Sequence, residues 1–145
     1  MPALTLEQAN RIVAAALAKA RAMKIAPLAV AVLDAGGHLI SLQREDGLSF
    51  LRIKVCQAKA WGALGMGSHS RGLAERYAKG GNMPGFFAAL AAMSEGMIVP
   101  IIGGVLVRSA QGEIVGAVGV SGASSEEDEA CAVAGIQAAG LPVDL

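Results

Sequence analysis

Two stretches of this chain align without gaps: Asp34-Ala35-Gly36-Gly37-His38-Leu39-Ile40 and Ser109-Ala110-Gln111-Gly112-Glu113-Ile114-Val115. Each sits between two runs of strand composition, and Gly37 and Gly112 fall at the same place. A three-residue hairpin loop needs a positive φ there, which glycine adopts without steric cost. The repeat therefore predicts two β-hairpins, Leu28–Leu33 with His38–Arg44 and Val105–Ser109 with Glu113–Ser121. Two hairpins impose an antiparallel sheet, because parallel strands need long crossovers instead of three-residue loops. Leu28 to Leu33 is apolar throughout, as suits a strand covered on both faces.

Helices fill the rest. Thr5 and Gln8 form a capping box, and Leu6, Ala9, Val13, Ala16, Leu17 and Ala20 recur at three and four, so a first helix covers roughly residues 5–24 and stops before Pro27. Between the hairpins the pattern predicts a helix over about 49–64, a Gly/Ser loop over 65–72, a short helix near 73–78 and another near 85–94. A last helix, capped by Ser124 or Ser125 and opened by Glu126-Glu127-Asp128-Glu129, runs to about Ala139. The expected architecture is one α/β (α+β) domain over residues 1–145, in the order α-β-β-α-α-α-β-β-α, with helices packed on an antiparallel sheet.

Composition excludes several partners. Lys plus Arg and Asp plus Glu each count 12, so no net field draws nucleic acid or an anionic membrane. Aromatics are only 3%, too few for the stacking platforms of single-strand binders. Charged residues reach 17% against 54% hydrophobic, and the apolar surplus on so small a domain points to a homo-oligomer. Met1 to Thr5 carries no basic flank and no uncharged apolar run has spanning length, so we expect a cytoplasmic protein without a signal peptide. Cys56 and Cys131 have no paired spacing and read as reduced core thiols.

No phosphate loop, dinucleotide fingerprint, zinc motif or nucleophile elbow occurs, and the two histidines have no cysteine near either. Polar residues concentrate in a few places. Arg44 and Asp46 leave the second strand, and on the next helix Arg52, Cys56 and Lys59 share a face. Arg44 and Lys59 together suit an anionic group held by charge-assisted hydrogen bonds. The same residues also admit an arrangement in which Arg44 pairs with Asp46 and Lys59 is solvated. In the 65–72 loop, glycine N–H groups with His69 and Arg71 suit an anion cradle or a plain connector. His69 has the chemistry of a general base or an axial haem ligand, and equally of an exposed loop histidine. Gly103, Gly104 and the glycines ending at Ser121 mark close approach by a backbone, a helix or a ligand. Trp61 reads as a ligand platform or an oligomer anchor.

Several of these segments resemble the GlcG/HbpS-like (haem-degrading domain) family, which includes the C-terminal domain of PduO proteins. They are Val32-Leu33-Asp34-Ala35-Gly36-Gly37-His38-Leu39, Arg44-x-Asp46-Gly47, Lys59-Ala60, Gly103-Gly104, Gly112 to Gly122, and Asp128-Glu129-x-Cys131-Ala132. The resemblance covers about residues 5–140. It implies a profilin-like fold, a homo-oligomer often built as an octamer, haem or a corrinoid-related role for some members, and occurrence with organic-acid or aromatic catabolism. Two departures mark a remodelled pocket. Lys59-Ala60-Trp61-Gly62-Ala63 stands where the family commonly has Lys-Ala-x-Thr-Ala, and Gly104-Val105-Leu106-Val107 where it has Gly-Gly-x-Pro-Ile.

Two functions remain open. One is a binding protein for haem or a small anionic organic acid, its pocket drawn from Arg44, Lys59, Trp61, His69, Arg71, Gly103, Gly104 and Ser121. The other is a cofactor-independent isomerase, lyase or hydrolase of a small organic acid, with His69, Lys59 and Asp46 as catalytic groups. No metal site is expected.

Overall fold

In the computed structural model, which describes residues 3–145, the elements are α1 (Leu6–Met23), β1 (Ala29–Asp34), β2 (Leu39–Arg44), α2 (Leu51–Met66), α3 (Ser70–Ala78), α4 (Met83–Met93), β3 (Gly104–Arg108), β4 (Ile114–Ser121) and α5 (Ser125–Ala138). Met1 and Pro2, the start of the segment expected not to be a signal peptide, lie outside the described residues.

Both expected hairpins form, and they close in the same way. Gly37 (φ +82°) donates its N–H to the Asp34 carbonyl, and Gly112 (φ +84°) donates to that of Ser109. The N–H groups of Asp34 and Ser109 donate in turn to the His38 and Glu113 carbonyls, both at 2.8 Å. The side chains repeat the pattern: Asp34 Oδ1 accepts from Gly36 and His38, and Ser109 Oγ from Gln111 and Glu113. The register shifts beside each loop, as a type I turn with a bulge requires.

β1 and β4 join the hairpins into one antiparallel sheet of order β2-β1-β4-β3. Alternation gives this sheet two unlike faces. Val30, Val32, Val105, Val107, Val118 and Val120 point to one, where Ile12, Val13, Ala16, Cys131 and Ile136 of α1 and α5 cover them. Each such side chain contributes roughly 1.5–3 kcal/mol by burial. Capping boxes at Thr5/Gln8 and Ser124/Glu127 start those two helices.

The other face presents Ala29, Ala31, Leu33, Leu106 and Ala117 with Gly104 and Gly119 between them, and α2 lies directly on the backbone. A Cβ at Gly119 would sit 1.8 Å from the Cys56 carbonyl oxygen, and one at Gly104 2.1 Å from that of Lys59. Gly104 and Gly119 thus serve the approach of α2, whereas Gly116 and Gly122 admit the backbones of Leu33 and Pro27.

The 65–72 segment differs from expectation. Helix α2 continues through Gly65 to Met66 and ends on Gly67 (φ +65°), while α3 begins at Ser70, so only a three-residue link remains. That link docks on the sheet margin. The outward N–H of Gly104 donates to Ser70 Oγ at 2.7 Å, and that of Leu106 donates to His69 Nδ1 at 3.0 Å. Two side chains therefore satisfy the edge of β3 as a strand would. The outer edge of β2 has no backbone partner among the described residues. No helix among the described residues is long and apolar enough to cross a membrane.

Candidate functional site

Arg44 and Lys59 do not meet in one cavity. Lys59 threads from α2 through the gap left by Gly103, where a Cβ would lie 2.8 Å from its Nζ. Its ammonium donates to the Val120 carbonyl at 2.8 Å and to Asp128 Oδ2 at 3.1 Å, with both side chains 1% exposed. Burial depresses the Lys59 pKa, and the Asp128 carboxylate opposes that shift. Asp128 Oδ1 accepts from the Ala123 N–H, so the pair fastens α2 to the exit of β4 and the first turn of α5. Lys59 is neither solvated nor open to a ligand, and Gly103 and Gly104 are occupied by Lys59 itself instead of lining a pocket.

His69 is likewise committed. With Nδ1 accepting from Leu106, Nε2 carries the proton and donates to Asp144 Oδ1 at 2.7 Å, and Asp144 Oδ2 accepts from Arg108 Nε. Both ring nitrogens are used, which leaves no free lone pair for a base or an iron. Arg71 chelates Glu129 and also donates to Glu126, and these hydrogen bonds raise its pKa further. It clamps α3 to α5 instead of cradling an anion. Trp61 packs against the first hairpin loop, where a Cβ at Gly37 would touch its Nε1 at 2.9 Å. The hollow beside it, lined by Ala35, Leu64 and Gly65 among others, measures only about 120 Å³.

What the fold does gather is a cationic end of the sheet. The register pairs Arg44 with Ala29 and Ala29 with Ser121, so the three lie in one row across the strands, on the face that carries α2. Arg44 is exposed, has no carboxylate partner among the described residues, and does not pair with Asp46. It lines a cleft of about 420 Å³ with Leu17, Arg21, Pro27, Glu45 and Asp46, in which Glu45 is already bonded to Arg21 and to the Leu28 N–H. At the other end of the row, Arg52 Nη1 reaches the buried Ser121 Oγ at 3.5 Å. This guanidinium is half-buried, and no carboxylate meets it among the described residues. Its charge also acts against that of Lys59.

Helical spacing groups Arg52 with Lys59 and gives it no role of its own. Only the position of the first turn of α2 at the sheet end separates the two, leaving Arg52 at the mouth and Lys59 inside. That first turn has no side-chain cap and no acid, and Phe50 and Leu51 beside it are 83% and 60% exposed. Two cations without countercharge beside bare apolar side chains make a surface suited to an amphipathic anion.

The comparisons agree on the fold. The family described as haem degrading protein HbpS-like matches residues 4–137. An uncharacterized 15.0 kDa protein from the dhaT-dhaS intergenic region of Citrobacter freundii is 30% identical over 125 residues, 86% of this chain and 84% of that protein. Among solved structures, a PduOC:heme complex superposes with a TM-score of 0.86 at 24% identity, covering 99% of this chain and 100% of that one. The protein ORFY of Klebsiella pneumoniae gives 0.83 at 25% identity, with 94% and 90% covered. A double mutant of Streptomyces reticuli HbpS gives 0.77 at 29% identity, with 94% and 87% covered.

Proposed function

This chain belongs to the HbpS-like family of haem degrading proteins, and from that premise we propose that it binds a carboxylate-bearing small ligand, haem foremost, at the sheet end marked by Arg44, Arg52 and Ser121. One observation carries the reading: the half-buried Arg52 guanidinium has a hydroxyl for its partner and no carboxylate. A charged donor taken partly out of water is costly unless an anion answers it.

Haem fits this surface in part. Arg52 and Arg44 suit its two propionates, and exposed Phe50 and Leu51 suit the edge of its ring. An imidazole for its iron is not at hand among the described residues. His69 is bonded through both nitrogens, and His38 lies past the first hairpin loop, at the far end of β1 from Arg44. When bound, haem supplies the redox and ligand-binding chemistry of its iron. The chain's own part is to clamp the carboxylates and cover the ring edge. The exposed apolar side chains also support a homo-oligomer, in which a second copy covers what one chain leaves bare.

The relatives support haem as the ligand, since one is named as a heme complex and the family as haem degrading. Small organic acids share the carboxylate chemistry and are the second candidates. The enzyme reading draws no support from His69 or Lys59, whose polar atoms are taken; Asp46 alone of that trio stays exposed.

The test is a titration of the protein with haemin, followed by absorbance in the Soret region. A hydrogen bond to a charged group is worth about 1.5–3 kcal/mol, so Arg52→Met should weaken binding by roughly 10- to 100-fold. Haemin dimethyl ester, its propionates blocked, should bind the parent protein no better than haemin binds that variant. Equal affinity of parent and variant for haemin would refute the site.

A further inference from the structure

Helix α4 carries no polar side chain, yet Phe87 alone of its 11 residues is buried. A helix that is apolar all round belongs in an interior, and this one is too short to span a bilayer. Helical spacing sets its outward face. Gly85, Ala89 and Ala92 point away from the Phe87 side, with Ala88 on one flank and Phe86 and Met93 on the other. All six are exposed, Met93 at 71%. A centre of small residues lets a second helix approach closely.

The two ends of α4 differ in charge. At its start the Arg76 guanidinium stands over the Phe86 ring, 5.5 Å from its centroid, and Lys79 caps α3 nearby, so that cations outnumber the single acid there, Glu75. Just past its end, Glu95 is the only charged residue. None of the four makes an ion pair among the described residues.

We propose that α4 is a homodimer face, on which the α4 of a second copy packs antiparallel about a two-fold axis near Ala88 and Ala89. Antiparallel order sets the Glu95 of each copy against Arg76 and Lys79 of the other, and it does so twice, whereas parallel order sets like charges together. It also sets Phe86 against Met93 of the second copy, a sulfur–aromatic contact on the flank where Arg76 already lies. The charges then close the rim of a contact whose middle is apolar. An anionic lipid surface would answer the cations but would leave Glu95 facing like charge. The face shares no residue with the Arg44–Arg52 surface.

Sedimentation of the full chain tests this. Ala89→Glu changes an exposed position that meets its own copy across the axis, and it should sediment at half the parent's mass or less. Glu95→Lys and the double variant Arg76→Glu/Lys79→Glu should each weaken self-association by roughly tenfold or more, since each sets like charges together twice. Mixed in equal amounts, these two should regain the parent's mass, because every acid in the mixed pair then faces a base; chains that had merely misfolded would not recover. Arg52→Met should keep the parent's mass, so that failure here and failure at the haemin surface are told apart. The proposal is overturned if Ala89→Glu sediments with the parent's mass, or if the mixture stays at the mass of its components. A parent chain that remains monomeric and floats with phosphatidylcholine vesicles would overturn it in favour of a lipid surface.

Discussion

Removing one member of the Lys59–Asp128 pair strands a charge where both side chains are 1% exposed. Asp128→Asn preserves an acceptor for the Ala123 N–H but takes away the counter-charge, leaving the ammonium with the Val120 carbonyl. Breaking a buried pair in this way costs about 3–5 kcal/mol. At about 2–4 °C per kcal/mol for a chain of this size, Tm should fall by roughly 6–20 °C. Lys59→Met strands the carboxylate instead. Because Asp128 retains the Ala123 N–H, its loss should sit at the lower end of that range. The double variant Lys59→Met/Asp128→Leu removes both charges. It should lie within about 1–2 kcal/mol of the parent, since an ion pair in the interior returns little beyond its own desolvation. Urea unfolding followed by circular dichroism would measure all three. If Asp128→Asn costs under about 1 kcal/mol, or if the double variant is as unstable as the two single changes summed, the pair is not a sealed, mutually neutralising unit and the reasoning fails.

Three further outcomes follow from other contacts. Gly119→Ala places a methyl 1.8 Å from a helix carbonyl and should destabilise by at least about 1–3 kcal/mol, whereas Gly112→Ala, with open space around a φ of +84°, should cost only about 1–2 kcal/mol of backbone strain; a reversed order in urea melts would contradict the packing described for α2. Burial pulls the Asp144 carboxyl upward, but the hydrogen bond from His69, with the charge and hydrogen bond of Arg108, outweighs it and holds the pKa below 3.8. Its stabilisation is therefore complete above 3.8 and is lost as pH falls below that value through the folded pKa, so Asp144→Asn should flatten the acid limb of the stability curve, and an unaltered limb would count against the His69–Asp144–Arg108 link. Burial pushes the Cys56 thiol up to about 12 and Cys131 to about 11, so neither should react with a thiol reagent at pH 8 until denaturant is added; rapid labelling of the native protein would contradict their enclosure.

The hairpins and the element order were legible because their signals are local. Gly37 and Gly112 need positive φ whatever surrounds them, and a capping box spans four residues. The link between α2 and α3 is shorter than its glycines suggest, because a helix accepts Gly65 at about 1 kcal/mol and α2 is held by packing on the sheet. The site was legible only in part. Arg44 and Ser121 were identified and fall in one row, but Lys59 and Arg52 differ by burial, which spacing on a helix face does not encode. The partners that decide their roles are remote in sequence. Lys59 meets Asp128 and Arg52 meets Ser121, each 69 positions away. Loop chemistry is what the sequence suggests for His69, and only the sheet order shows that it and Ser70 meet two outward N–H groups of β3.

Covering β3 with the His69 and Ser70 side chains has a consequence for how chains of this kind assemble. Of the two lateral rims of the sheet, one offers hydrogen bonds to newcomers and the other has its donors taken. Strand-to-strand joining through β2 consequently uses up the one rim left open among the described residues of each participant and halts at a pair. A continuous ribbon of sheets, the route by which such molecules become fibres, would require His69 and Ser70 to let go first.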